Sequence, residues 1–256
     1  MSRNKTTDNK PLVKELFSVM DENAPEEYIA AYKMLCTNIE FITVAQKCKN
    51  IMITSTLANE GKTNCSLNLA VTMAQQGKKV CLVECDLRRP SMHRFIASKR
   101  NTVGLTHVLK GEVELSEAIR NVSNTSMSIL LAVISPPNPT ELLSSERMQK
   151  LIKELEKEYD YVIYDTPPAF IISDAAVLGK YMDATFLVVR HNFTEKKYTA
   201  RAKKNLENAG VKIFGVILTA YKDKSKGSYS DYYSYNYYYS YNYSSDGSES
   251  SSGDES

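Results

Sequence analysis

The sequence predicts an α/β fold, a mostly parallel sheet with helices on both faces, and three observations carry that prediction. Short apolar runs alternate with helical patterns from about residue 51 to residue 218. The runs are continuously apolar, as strands buried on both faces are. Strand and helix in regular succession also imply right-handed crossovers, which lay helices on both sides of a parallel sheet.

The elements follow in chain order. Residues 1–22 are polar and mixed, and read as a flexible N-terminal arm. Asn23-Ala24-Pro25-Glu26-Glu27 reads as a helix start, with proline at the first helical position and carboxylates favoured by the helix dipole in the first turn. This helix is expected to reach about Phe41. Ile51-Met52-Ile53 reads as the first strand, Lys62 to Gln76 as a helix, Gly77-Lys78-Lys79 as a turn and Val80-Cys81-Leu82-Val83 as the second strand. Ser128 to Leu131 is the third strand, and a single long amphipathic helix is expected from about Pro139 to Lys157. Tyr161 to Tyr164, Ala184 to Val189 and Ile213 to Leu218 complete the strands, with helices over 173–181 and 195–208. The expected organisation is an arm over 1–22, a domain over 23–222 and a disordered, tyrosine-rich and acidic tail over 223–256.

Composition narrows the function classes. A chain of 256 residues with 43% hydrophobic residues can fill one core and carry tails. Its net charge of +2 divides into about −4 over residues 244–256 and +6 over the rest, too mild for a nucleic-acid partner. Five cysteines form no CxxC pair and no metal-ligand spacing with the three histidines, so free intracellular thiols are expected. The polar start MSRNKTTDNK is no signal peptide, and no apolar run approaches the ~20 residues of a membrane span. A cytosolic protein is expected, unless a partner holds it at a membrane.

Chemistry should lie at the carboxyl ends of the strands, where open α/β sheets bind ligands. After the first strand, Gly61-Lys62-Thr63 opens a helix behind a loop of small and polar residues. Such a loop points backbone N–H groups and the positive helix end at an anion, which predicts a P-loop NTPase-like site. Lys62 would reach the β- and γ-phosphates and the Thr63 hydroxyl would ligate Mg²⁺. The pattern G-x-x-x-x-G-K-[ST] is broken, because Thr56 stands where its first glycine belongs. Two further strand ends carry carboxylates. Val83-Glu84-Cys85-Asp86 closes the second strand, and Tyr164-Asp165-Thr166-Pro167-Pro168 closes the fourth. Side-chain alternation sets Glu84 and Asp86 on one side and Cys85 on the other. An acidic residue after a buried strand beside a phosphate loop holds Mg²⁺ directly or through water.

With "TNIEF", "GKT" followed by "NLA", "LRRPSMHRF", "GLTHVLKGE", "PPNPTELLSS", "YDYVIYDTPP", "SDA" and "FLVVR", the chain resembles the bacterial tyrosine kinases of capsule and exopolysaccharide synthesis, in their stand-alone cytoplasmic Gram-positive form. The likeness covers about residues 26–222 and the tyrosine-rich tail. It implies ATP-dependent autophosphorylation in trans, with ATP and Mg²⁺ held by a loop of Ala58, Asn59, Glu60, Gly61, Lys62, Thr63 and Asn64. By position, Glu84 is the expected base for the tyrosine hydroxyl, Lys62 and Asp86 share the catalytic work, and Thr63, Asp86 and Asp165 organise the metal. The resemblance also implies a membrane adaptor that activates the kinase and recruits it to the inner face of the cell membrane, self-assembly into a ring, and a phosphotyrosine phosphatase as a further partner.

The chain departs from the family at several places. Ala58-Asn59 replaces Pro-Gly, and asparagine is the non-glycine residue best suited to positive φ. Glu84 replaces an aspartate, and Thr219 replaces an asparagine that reads the adenine. The family's oligomerisation motif E-x-x-R-x-x-R reads Ala30, Lys33 and Cys36, with two of its three charged groups missing.

"YSDYYSYNYYYSYNY", residues 229–243, has nine tyrosines in fifteen positions and no aliphatic residue, so it cannot build a core. Beside an ATP site it reads as a multi-site phosphoacceptor: Tyr229, Tyr232, Tyr233, Tyr235, Tyr237, Tyr238, Tyr239, Tyr241 and Tyr243. Two alternatives stay open. One is a switch ATPase of the MinD/ParA type, though such switches more often end in an amphipathic helix. The other is a pseudokinase scaffold that binds nucleotide without turnover.

Overall fold

The computed structural model describes residues 23–95 and 103–221. The expected arm 1–22 and tail 223–256 lie outside the described residues. The chain divides into two units after Ala220, and the first carries the fold.

The first helix, α1 (Glu26–Val44), starts directly after Pro25 and has Glu26 and Glu27 in its first turn. Strand β1 (Asn50–Ser55) and helix α2 (Lys62–Gln75) follow, then β2 (Val80–Glu84) and a 3-10 turn over Met92–Arg94. Two short helices, α3 (Leu105–Lys110) and α4 (Leu115–Ala118), precede β3 (Arg120–Asn121) and β4 (Met127–Leu130). Helices α5 (Pro139–Ser144) and α6 (Glu146–Glu158) lead to β5 (Tyr161–Asp165) and α7 (Asp174–Gly179). Strand β6 (Ala184–Arg190), α8 (Lys196–Asn208) and β7 (Ile213–Thr219) close the domain.

The seven strands run in the order β3-β4-β2-β5-β1-β6-β7, and all neighbours are parallel except β3 with β4. The parallel α/β architecture is the one the sequence predicts. The two-residue β3 is a difference: exposed Arg120 and Asn121 carry no apolar signal, and they join by pairing antiparallel to β4. The long helix expected over 139–157 is a second difference. It breaks at Ser145, whose φ −66 and ψ 156 leave the helical region and whose hydroxyl oxygen accepts the Met148 N–H to cap α6.

Alternation along the central strands fills two cores. Ile51, Ile53, Val80, Leu82 and Ile163 face α1 and α2 on one side of the sheet. Met52, Cys81, Val83, Val162 and Tyr164 pack with α6 and α7 on the other. Gly104, in the GLTHVLKGE stretch, lies against the backbone that follows β4. A Cβ there would stand 2.1 Å from the Leu131 carbonyl oxygen and 2.6 Å from Val133 Cγ2. Gly104→Ala is therefore expected to cost about 1–3 kcal/mol through overpacking, read as a thermal midpoint lower by about 2–4 °C per kcal/mol. An unchanged midpoint would show that this contact yields freely.

The order β2-β5-β1 matters most for function. It sets the carboxyl ends of three strands side by side on one edge of the sheet.

Candidate active site

The loop after β1 begins at buried Thr56, whose hydroxyl donates to Thr199 Oγ1 on α8 at 3.3 Å. Thr56 does not need the left-handed region, so the missing first glycine is tolerated. The two residues that do need it are Asn59, at φ 66, and Gly61, at φ 88. Asparagine thus stands at the second demanding position, as its chemistry led us to expect. Helix α2 starts at Lys62, and among the described residues the backbone N–H groups of residues 58–64 have no partner. Successive unpaired donors at a helix start form a concave anion site.

Opposite those donors lies a buried ionic cluster. The Lys62 ammonium is 3.0 Å from Asp86 Oδ2 and 3.5 Å from Asp165 Oδ2. Thr63 donates its hydroxyl to Asp165 Oδ2 at 2.7 Å, and Ser66, one turn later, donates to Asp165 Oδ1 at 3.2 Å. Burial would depress the Lys62 ammonium, but Asp165 and Asp86 beside it hold its pKa above the ordinary lysine value. Burial raises the Asp165 carboxyl, and Lys62 and Thr63 only partly offset this. One cation and two carboxylates leave an excess negative charge. Among the described residues no three histidine, cysteine or carboxylate side chains converge as a ready metal site. A cation here would be completed by water and by an anionic ligand, as Mg²⁺ usually is. Free N–H groups on one side and surplus carboxylate on the other fit a polyphosphate with its divalent cation.

Glu84, the expected base, closes β2. Its carboxylate curls back: Oε1 accepts the N–H groups of Ser91 and Met92 at 2.7 and 2.8 Å, and Oε2 accepts that of Ala132 at 3.1 Å. Burial raises its pKa despite these amides. With both oxygens engaged, Glu84 pins the chain after β2 to the chain after β4. The extra methylene relative to aspartate gives it the reach to do this.

Thr219 lies beside the loop, and its hydroxyl donates to the Glu60 carbonyl at 2.6 Å. Asn64 accepts from the hydroxyls of Tyr28 and Tyr32 at 3.1 and 3.3 Å, which ties α1 to the start of α2. Ala58 is exposed at the loop's tip. In α1, Cys36 is fully buried, so the last position of the expected oligomerisation motif faces the core.

Sequence reasoning missed two contributors, Ser66 and Arg88. Ser66 carries a signal, since it lies one helical turn past Lys62. Glu60 was expected in the loop, and its side chain is buried. Arg88 makes a two-point contact with fully buried Asp174, at 2.7 and 3.0 Å, and also donates to Thr140 at 3.0 Å. That bridge joins LRRP, PPNPTE and SDA, which lie far apart in the chain.

Comparison with known proteins agrees with this geometry. The family described as an AAA domain matches residues 48–188. The tyrosine-protein kinase YwqD of Bacillus subtilis (strain 168) is 42% identical over 202 residues, which cover 79% of this chain and 84% of that one. The tyrosine-protein kinase etk of Escherichia coli (strain K12) is 35% identical over 209 residues, covering 82% of this chain but 29% of that longer protein. The solved kinase domain of the E. coli tyrosine kinase ETK superposes with a TM-score of 0.73 at 33% identity, covering 77% of each chain.

Proposed function

Because the chain belongs to the bacterial tyrosine kinases of capsule and exopolysaccharide synthesis, we propose that it transfers the γ-phosphoryl group of ATP to the tyrosines of residues 229–243 on a neighbouring copy. The observation that carries this reading is the convergence of Lys62, Thr63, Asp86 and Asp165 beneath the unpaired N–H groups of residues 58–64.

The chain's own residues can do what the reaction needs. The N–H groups of residues 58–64 cradle the phosphates, and the Lys62 ammonium moves from its carboxylates towards the transferring group. Thr63, Asp86 and Asp165 would hold the cation. Mg²⁺ bound there would neutralise charge that develops between the phosphates. The γ-phosphorus to bridging-oxygen bond breaks as a bond to the tyrosine oxygen forms, ADP leaves, and the phenolic proton is lost. The loose transition state asks mainly for positioning and charge neutralisation. Glu84 and Asp86 are the carboxylates at the end of β2 that could receive the proton; each accepts backbone N–H groups, and Asp86 also pairs with the Lys62 ammonium.

The proposed partners are a membrane adaptor whose cytoplasmic segment activates the kinase, further copies of the chain, and a phosphotyrosine phosphatase. Among the described residues no helix is long and apolar enough to cross a membrane, so attachment at the inner face would come from the adaptor.

The test is incubation of the purified chain with ATP and Mg²⁺, with and without a candidate adaptor segment, followed by phosphotyrosine mapping. Lys62→Ala is expected to lower tail phosphorylation by on the order of 10²–10³-fold, the loss typical of one preorganised charge at the reacting group. ATP hydrolysis with an unmodified tail would overturn the kinase reading in favour of a switch ATPase. Nucleotide binding with neither activity would identify a scaffold.

A further inference from the structure

The loop that replaces Pro-Gly with Ala58-Asn59 needs two residues at positive φ, and only one of them is glycine. A non-glycine residue keeps such a conformation when its surroundings over-determine it. Here the surroundings converge on Glu60, which is 1% exposed. Its Oε2 accepts the Leu57 N–H at 2.6 Å, across the loop's own turn. Its Oε1 accepts the Arg190 N–H at 3.3 Å, at the end of β6, and the Thr194 hydroxyl in the turn that follows. The Glu60 carbonyl takes the Thr219 hydroxyl, and the Asn59 carbonyl takes Arg190 Nη1 at 3.2 Å. Two backbone N–H groups and one hydroxyl thus satisfy a carboxylate that would otherwise stand uncompensated behind an anion-binding loop.

We propose that Glu60 is a positioning residue for nucleotide: its buried carboxylate fastens the phosphate loop to residues 190–194, and so holds the N–H groups of residues 58–64 in their binding geometry before ATP arrives. The inference rests on the nucleotide-binding reading above. The sequence places Glu60 in the loop, but its role as a brace follows from where its buried side chain lies. The brace holds Asn59 in the positive-φ conformation that a glycine would adopt unaided.

Without the brace, the loop samples other conformations, and ATP must select the competent one. The apparent affinity then falls by the fraction of chains in that conformation. Glu60→Ala is expected to raise both the Kd for ADP with Mg²⁺, measured by calorimetry, and the KM for ATP by about 10–100-fold, with kcat lowered only a few-fold. Glu60→Gln keeps one acceptor oxygen but turns an amide N–H towards other donors, so it should recover part of the loss. Thr194→Val removes one donor without touching the loop. It should weaken binding several-fold, and its effect should largely vanish in the Glu60→Ala background.

An unchanged KM in folded Glu60→Ala, a fall in kcat at constant KM, or full additivity with Thr194→Val would each overturn the proposal. Should Glu60→Ala fail to fold, Thr194→Val alone decides: weaker binding supports the brace, and wild-type affinity overturns it. Wild-type protein that binds no ADP with Mg²⁺ would instead overturn the nucleotide reading itself.

Discussion

Replacing Asp165 by asparagine is expected to lower tyrosine phosphorylation by on the order of 10²–10³-fold while raising the thermal midpoint of the nucleotide-free protein by a few degrees. The loss of rate follows from geometry. Asp165 is fully buried at the end of β5, accepts the Thr63 and Ser66 hydroxyls and lies 3.5 Å from the Lys62 ammonium. An amide in its place would keep one acceptor but lose the charge that holds a divalent cation. The gain in stability follows from the sign of its pKa shift. Burial leaves the carboxyl raised above its ordinary value, even with Lys62 opposing. A carboxyl with a raised folded pKa binds its proton more tightly in the fold than in the unfolded chain. Its stabilising contribution is complete below the unfolded value of about 3.9 and is lost as pH rises through the folded pKa. At neutral pH the folded protein therefore bears the cost of an ionised, buried Asp165, and asparagine removes it. Lys62 keeps Asp86 as its partner at 3.0 Å but loses Asp165, the larger of the two attractions that hold its ammonium charged, which offsets part of the gain. Glu84 is raised in the same direction, but it is present in both proteins and cancels. The midpoint difference should be wide at pH 7 and shrink as pH falls towards 4. A midpoint that drops at pH 7, or a rate within ten-fold of wild type, would contradict this account of the cluster.

How far the sequence disclosed this arrangement depends on whether local pattern controlled each feature. GKT behind a buried strand disclosed the loop whose N–H groups stand unpaired among the described residues, and asparagine's tolerance of positive φ disclosed how the turn at Asn59 survives. Adjacency of β2, β5 and β1 could not be read, because strand order is a property of the sheet and not of any one strand. Glu84 shows where pattern reasoning stops. Alternation holds only while the chain is extended, and β2 ends at Glu84 itself. Beyond that point Asp86 turns to Lys62 and Glu84 turns to the amides of Ser91, Met92 and Ala132. The break at Ser145 was hidden for a related reason. Apolar spacing continues across it from Leu143 to Met148, and only a serine marks the new helix start. The short α3 and α4 and the two-residue β3 owe their existence to packing and pairing, since each is too brief to show a period.

Conversion of all nine tyrosines of residues 229–243 to phenylalanine is expected to remove nearly all phosphotyrosine while leaving nucleotide affinity unchanged. Phenylalanine keeps the ring and loses only the nucleophile, so the comparison isolates the acceptor. The other eight tyrosines of the chain are poorly placed to act as acceptors. Tyr159, Tyr161 and Tyr164 are buried, and the Tyr164 hydroxyl donates to Asn50 at 3.1 Å. Tyr28 and Tyr32 are partly buried and donate to Asn64, and burial pushes both phenols above their ordinary pKa. Tyr198 is partly buried and stacks edge-on with Phe170. Among the described residues only Tyr181 and Tyr221 are exposed. A phenol must leave its packing to approach a γ-phosphate in line, and the domain's tyrosines would lose contacts by doing so. The nine at residues 229–243 stand in a stretch that contains no aliphatic residue. Each phosphate there adds about −1.5 to −2 charges at pH 7, so four would add roughly −6 to −8 next to Asp246 and Glu249. That density should drive neighbouring tails apart. The phosphorylated protein should therefore assemble less than the unmodified one at low ionic strength, and the gap should narrow as salt screens the charges. Sedimentation of both forms across a salt series measures this. Undiminished phosphotyrosine in the phenylalanine variant, mapped to Tyr181 or Tyr221, would move the acceptor out of residues 229–243.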